Sequence, residues 1–596
     1  MDESIELLFP DLYGTLSEKV AAVTQVASLC KEIQVLEHIV EHNQLMSAFA
    51  RLLEEDSNVE MSFIIGKVLL AISKVADFHE ILANHRVGAT ILRVIELELK
   101  RVGHRLEMNS QPFSTRQEHF FFICLSILAN LADNVATLRK MVKKGLVPIV
   151  VGCLQMKSVK SLMVSLQLLR LSSIFEETAV EIATQGQRVI PKLVCMLQVQ
   201  CVDIRSDVIS ILFNLSFLEQ CLDLISNQEE VHKFLVDNLH EEQLKQRALC
   251  LVYHLSSKHD NRQKLFEADV SGYLIKALKT AKKQQMNKAL AGLLVNMTLH
   301  PLCAEYFVKN CFVDFVMSTL QEVESNLDFT VHVLLKVLRN MSAWSRSLQC
   351  KIAQTLEDQE LICLQGHVER PASYIDVTQQ RSLYWEQNFW NAHVSFLWSC
   401  TFLCENEDIV VELVGILSNM TIDDLPAGNQ WHHMMEEYNS DMMQFLKRVL
   451  DPNDGSVAPC CDDLKLEMIV WLGELCADKE CSCWLVNVLD CINRIFTQSF
   501  VRRKDDEMSI AILFFYEQLL LHEETRFQVI GGDGVIDAIL LCLEERSSLG
   551  YTAAKCLTLI EDLDRNHDGS LGDVGCYIRE KRFSLVYLAI TDEVDS

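Results

Sequence analysis

The sequence predicts an all-α fold, an armadillo- or HEAT-like superhelical solenoid of about 10–13 repeats. Three observations predict it. Hydrophobic residues make up 49% of the 596-residue chain, yet it holds only 21 glycines and 9 prolines, too few breakers for a many-stranded β protein. A polar residue recurs inside otherwise apolar runs: "LSILANLA" (125–132), "SILFNLSF" (210–217), "GLLVNMTL" (292–299), "KVLRNMSA" (336–343) and "VVELVGILSNMTIDDL" (410–425). The recurrence is periodic, since Asn130, Arg170, Asn214, His254, Asn296 and Asn340 lie 40, 44, 40, 42 and 44 residues apart. Such a period with helical patterning marks stacked two- or three-helix units, none of which can bury its own faces alone.

In chain order, residues 1–104 hold the first repeats, with Ser28 and Ile72 in the recurrent slot. Residues 105–119, polar and containing a proline, are expected to form an exposed loop. Residues 120–361 are the central repeats. A glycine follows the slot by 15 to 18 residues in several units (Gly88, Gly145, Gly186, Gly272 and Gly534), which predicts a turn with positive φ, reinforced by Pro148 and Pro191. Asn340 and Asn419 are 79 residues apart, close to two periods, and residues 362–408 look like an insertion with an aromatic helix around Trp385, Trp390 and Trp398. Residues 409–562 are the last repeats, with Asn419, Glu474 and Gln518 in the slot and a loop at 451–463. Residues 563–596 form an acidic C-terminal segment.

The charge is 54 basic against 82 acidic residues, or −28, which argues against nucleic acid as a ligand because phosphate contacts need excess Lys and Arg. The opening "MDESIELLFPDLYG" has no secretory n-region or h-region, so the 22 cysteines are expected to be reduced core residues of a cytoplasmic protein. The longest uncharged run, 387–404, contains Gln, Asn, His, Ser and Thr and suits a buried helix better than a membrane span.

The slot carries the functional expectation. In an armadillo unit the third helix lines the concave surface, where a side-chain amide offers both donor and acceptor to the main chain of an extended peptide. Asn130, Asn214, His254, Asn296, Asn340, Asn419 and Gln518, with Trp431 nearby, are the candidate partner-binding residues. The competing expectation is that each amide caps backbone groups or bonds within its own unit. Import receptors of the importin-α type pair such an Asn with a Trp one turn earlier. Here Ser126, Ser210, Gly292, Lys336 and Gly415 stand there, so that activity is not expected.

Particular segments resemble the kinesin-associated protein family, the non-motor accessory subunit of heterotrimeric kinesin-II. They are "MDESIELLFPDL", "FHEILANHRVGATILRVIELELKR" (78–101), "LRLSSIFEE" (169–177), "ALCLVYHLSSKHDNRQKLF" (248–266), "LSNMTIDDL" (417–425) with Trp431 and "EEY" (436–438), "FFYEQLLLHEETRFQVI" (514–530) and "AAKCLTLIEDLD" (553–564). The resemblance implies a non-catalytic scaffold without cofactor. It would bind the stalk and tail segments of two different motor chains and link them to cargo or transport-complex proteins, in intraflagellar and other microtubule-based transport. The implied location is the cytoskeleton, or a cilium or flagellum. Compared with the family, the chain begins almost at the first repeat and shows no acidic-aromatic tail. A generic armadillo adaptor of another cytoplasmic complex is the alternative.

Other signals are weaker. "DRNHDGSLGDVG" (564–575) places Asp564, Asn566 and Asp568 like an EF-hand loop, but Gly575 stands where a bidentate Glu completes the coordination, so an acidic turn is expected. The cysteines at 460–461, 476, 481 and 483 include no C-x-x-C pair and read as core rather than zinc ligands. His432 and His433 are adjacent and point apart on a helix. The basic runs 138–145 and 276–288 read as solvated helix faces. No phosphate loop, nucleophile elbow, zincin or dinucleotide motif occurs.

Overall fold

The computed structural model describes residues 8–30, 33–55, 59–107, 115–228, 230–280, 286–310, 312, 315–316, 329–343, 401, 406–419, 439–450, 461–502, 506–532, 534–543, 548–566, 576–578 and 580. All regular structure among them is helical. The recurrent slot falls each time near the C-terminal end of one long helix per repeat. These ladder helices are α1 (Leu16–Leu29), α2 (Val59–Ser73), α3 (Thr115–Leu131), α4 (Val159–Ser172), α5 (Val202–Leu215), α6 (Lys245–Leu255), α7 (Lys288–Thr298), α8 (329–343), α9 (Glu407–Ser418), α10 (Asp462–Leu475), α11 (Asp506–Leu521) and α12 (Ser548–Asn566). Between them lie shorter helices, such as Glu176–Thr184 and Gly186–Met196.

The chain divides into two compact units, Met1–Tyr273 and Leu274–Ser596. In the first, α1 through α6 pack successively on one another. In the second, α9 packs on α10, α10 on α11 and α11 on α12. The ladder helices inside each unit are apolar on nearly every side because a neighbour covers both flanks. Leu125, Ile127 and Leu128 of α3 and Val208, Ile211 and Leu212 of α5 are completely buried, as are the large side chains Phe121, Trp471, Phe515 and Tyr516. Burying a single Leu or Phe is worth about 1.5–3 kcal/mol, so the stack is the main source of stability.

Local sequence sets the helix starts. Thr15 and Glu18 form a capping box at α1, and the side chains of Ser158, Asn287 and Asn406 accept backbone N–H bonds at the starts of α4, α7 and α9. Gly145 and Gly534 take φ of 90° and 74°, as the turn prediction requires. Gly88, Gly186 and Gly272 do not. They sit within helices; the left-handed position is taken by Arg86 (φ 57°) beside Gly88 and by Asp269 (φ 66°) beside Gly272, by no residue beside Gly186, and by Glu230 (φ 63°) in a further repeat. A Cβ at Gly186 would meet the end of the Leu224 side chain of the next repeat, which would have to shift. Pro191 likewise lies inside the helix Gly186–Met196 rather than in a turn.

Helices enter the expected 105–119 loop from both sides, Val87–Glu107 before it and α3 from Thr115 after it. Trp385, Trp390, Trp398 and nearly all of 362–408 lie outside the described residues, as do Trp431, His432 and His433. No helix of the described residues is long and apolar enough to cross a membrane.

Candidate functional site

The slot side chains share one geometry. In the first unit, Asn214 Nδ2 donates to Ser173 Oγ (2.8 Å) and to the Arg170 carbonyl (3.5 Å), both on or just after α4. In the second, Asn340 Nδ2 donates to Thr298 Oγ1 (3.1 Å) and the Val295 carbonyl (3.2 Å), and Asn419 Nδ2 donates to Ser342 Oγ (3.0 Å) and the Arg339 carbonyl (3.3 Å). Asn130 Nδ2 donates to Ser73 Oγ at 2.9 Å. Every one of these partners belongs to the preceding ladder helix or the residue after it. The amides therefore pin each repeat to the one before it, rather than capping their own unit.

The receiving hydroxyls complete a relay. Ser73, Ser173, Thr298 and Ser342 each donate to the carbonyl three residues back, at 3.0, 2.8, 2.8 and 2.8 Å. Those of Leu70, Arg170 and Val295 are among the last four carbonyls of their helices, which have no intrahelical partner. Since the hydroxyl hydrogen is used there, the oxygen can only accept from the slot, and this fixes which end of each amide faces it. His254 obeys the same logic. Ser216 Oγ lies 2.7 Å from the Phe213 carbonyl and 2.6 Å from His254 Nδ1; with the hydroxyl hydrogen on the carbonyl, as at the other slots, the ring nitrogen is the donor. Burial also pushes the His254 pKa down, favouring the neutral ring with Nε2 unprotonated.

The Ser/Thr partners were visible as "NLS", "NMT", "NMS" and "RLSS", but without the fold nothing tied them to a slot 40 or more residues later. The spacing of Asn340 and Asn419 also has a different meaning from two periods. Their direct bonding makes α8 and α9 neighbours, with no ladder helix between them. The residues between them are an insertion in one repeat.

The other slots vary. Arg170 pairs with Asp207 of α5 at 2.8 Å; burial raises the Asp207 pKa and Arg170 opposes that. Asn296, Glu474 and Gln518 are half-buried at equivalent places on α7, α10 and α11. Around His254 there is an aromatic cluster that the sequence did not single out. The Phe217 ring centroid is 4.5 Å from that of His254 and 5.2 Å from that of Phe213, and Phe217 is 68% exposed. A second unexpected feature joins α8, α9 and α10. Arg339 pairs with Glu412 at 3.5 Å and with Glu467, while Lys336 and His332 approach the same buried Glu412 at 3.8 and 4.0 Å.

The metal candidates gain nothing from the geometry. The backbone of α12 is helical through Asp564 and Asn566, and Asp568 lies outside the described residues. Among the described residues no three His, Cys, Asp or Glu side chains come together as a metal site. Cys476 and Cys481 are buried free thiols whose pKa values burial raises, that of Cys481 to about 12. Cys460 lies outside the described residues.

Comparison with known proteins agrees with this architecture. The profile of the kinesin-associated protein (KAP) family matches residues 1–111, 104–367 and 381–567. A chain solved in work on a phosphorylation switch controlling the interaction between cadherin and beta-catenin superposes with a TM-score of 0.61 at 13% identity, covering 93% of this chain and 99% of that one. That likeness shows the fold, an all-α armadillo-type solenoid. An engineered protein aligns with a TM-score of 0.47 at 14% identity, over 79% of this chain and 98% of its own.

Proposed function

The chain belongs to the kinesin-associated protein family, and from that premise we propose that it is the accessory subunit of a heterotrimeric kinesin-II. In this role it holds the stalk and tail segments of two different motor chains and connects them to cargo or transport-complex proteins. The work is adaptor work, done by protein surface rather than by a catalytic step, in the cytoplasm along microtubules and in a cilium or flagellum. The observation that carries this proposal is the extent of the family match, which runs in order through nearly all the repeats.

The faces built by the ladder helices of each unit are the proposed contact surfaces, with Asn130, Asn214 and His254 on that of the first and Asn296, Asn340, Asn419 and Gln518 on that of the second; Trp431 follows α9 in sequence. Stable interfaces bury about 1,200–2,000 Å², which several consecutive repeats can supply. A charge of −28 complements basic tails and speeds their encounter at low salt. The test is co-purification of the chain with paired and single kinesin-II tail fragments at two salt concentrations. Selective, salt-sensitive retention of the paired tails is expected. Failure to retain any tail with a folded helical protein would overturn the proposal.

A further inference from the structure

The slot amides differ from a peptide-clamping amide in one respect. Asn214, Asn340 and Asn419 each direct Nδ2 at two acceptors of the preceding repeat, so both amide hydrogens are engaged inside the protein. Their Oδ1 atoms meet no donor among the described residues, and none of them is a buried orphan. Each oxygen therefore reaches solvent. His254 is the same in another chemistry, since Nδ1–H is held by Ser216 and the unprotonated Nε2 is neither bonded among the described residues nor buried. What these slots present outward is acceptors without donors. A main-chain clamp needs both, because an extended peptide offers N–H and C=O in alternation.

On this basis we propose that Asn214 and His254, with the rings of Phe213 and Phe217, form a receptor for a lysine or arginine side chain. The charged head donates N–H bonds to Asn214 Oδ1 and His254 Nε2, and the aliphatic stem lies along the exposed Phe217 ring. Asn214 stands near the end of α5, and Ser216 two residues on is bonded to His254 of α6, so the two slots are neighbours on one face. The overall charge of −28 favours a basic occupant, and the aromatic rings add attraction for a cation. Asn340 and Asn419 of the second unit hold their oxygens in the same way, but no histidine takes a slot in that unit, so the Asn214–His254 pair is the better receptor. This proposal deepens the adaptor function by naming the chemistry its surface reads. It can be tested without any motor fragment.

The experiment uses the full chain and a fluorescein-labelled peptide of alternating lysine and alanine, read by anisotropy at low salt. A second peptide carries trimethyl-lysine, which keeps the positive charge but has no N–H to donate. The trimethylated peptide is expected to bind at least about tenfold more weakly, a difference of about 1.4 kcal/mol. His254→Phe should shrink that ratio by removing Nε2 while keeping a ring, and Asn214→Ala should shrink it further. Ser173→Ala frees the Asn214 amide to turn, so it should shrink the ratio as well, whereas Ser73→Ala, which loosens the α2–α3 link and touches neither slot, should keep the ratio and act as the control for general destabilisation. Equal or tighter binding of the trimethylated peptide would mean that charge or ring attraction alone is read, and would overturn the proposal. So would absence of binding by the lysine peptide. Loss of motor-tail retention with the lysine preference intact would count against the kinesin-II role and leave this receptor standing.

Discussion

Asn419→Ala tests whether the slot amides fasten the repeats. The substitution removes two hydrogen bonds from α9 to the preceding repeat, at 3.0 and 3.3 Å. A typical intramolecular bond contributes about 0.5–1.5 kcal/mol net, so the expected loss is about 1–3 kcal/mol. Ser342→Ala removes the shorter of these bonds together with the hydroxyl's own 2.8 Å bond to the Arg339 carbonyl, but leaves Asn419 its carbonyl partner. The two single variants should therefore cost similar amounts, and the double variant less than their sum, with a coupling of about 0.5–1.5 kcal/mol. Long repeat arrays do not unfold as one cooperative unit, so a melting midpoint is the wrong readout. Native-state hydrogen exchange of the α9 amides is the right one. A loss of about 2 kcal/mol should accelerate their sub-global exchange about 30-fold while leaving α3 and α4 unchanged. Unchanged α9 exchange in Asn419→Ala, or simple additivity with Ser342→Ala, would refute the relay as a stabilising device.

Three further outcomes are expected. His232 is buried, and burial first, then Lys264, lowers its pKa from 6.5 to about 4, so the folded state binds fewer protons than the unfolded one; stability present above pH 6.5 should fall by up to about 3 kcal/mol as pH drops towards 4, and His232→Phe should flatten that part of a pH series of denaturation curves. Arg339→Met should expose α8–α9 to exchange more than Lys336→Met does, by about 1–3 kcal/mol, because it leaves the buried Glu412 with only the longer contacts from Lys336 and His332. Gly186→Ala should displace the Leu224 side chain and destabilise its repeat by about 1 kcal/mol, and Leu224→Ala in the same chain should relieve that overlap, as exchange of the Glu219–Ser226 helix would report.

The repeat architecture was legible because its cause is periodic: each ladder helix needs two apolar flanks, and the polar slot marks the one stripe that neighbours do not cover. The period counted repeats correctly wherever consecutive ladder helices are consecutive in sequence. It misled at Asn340 and Asn419, since a spacing of 79 residues is arithmetically two periods, and only the bonds from Asn419 to Ser342 and Arg339 reveal that nothing intervenes. The glycine turns were half legible for a related reason. Positive φ is a property of the backbone position: beside Gly88 and Gly272 it is Arg86 and Asp269 that take it, while Gly186 follows Gln185 at φ −104°, a turn with no positive φ. The orientation of the amides was not legible at all. A sequence shows that Asn214 has a donor and an acceptor; it cannot show that Ser173, already donating to Arg170, has only lone pairs left to offer. That one constraint turns the outward face of the slot from a two-way clamp into an acceptor, and it makes the chemistry of the partner, rather than the presence of a ladder, the quantity to measure.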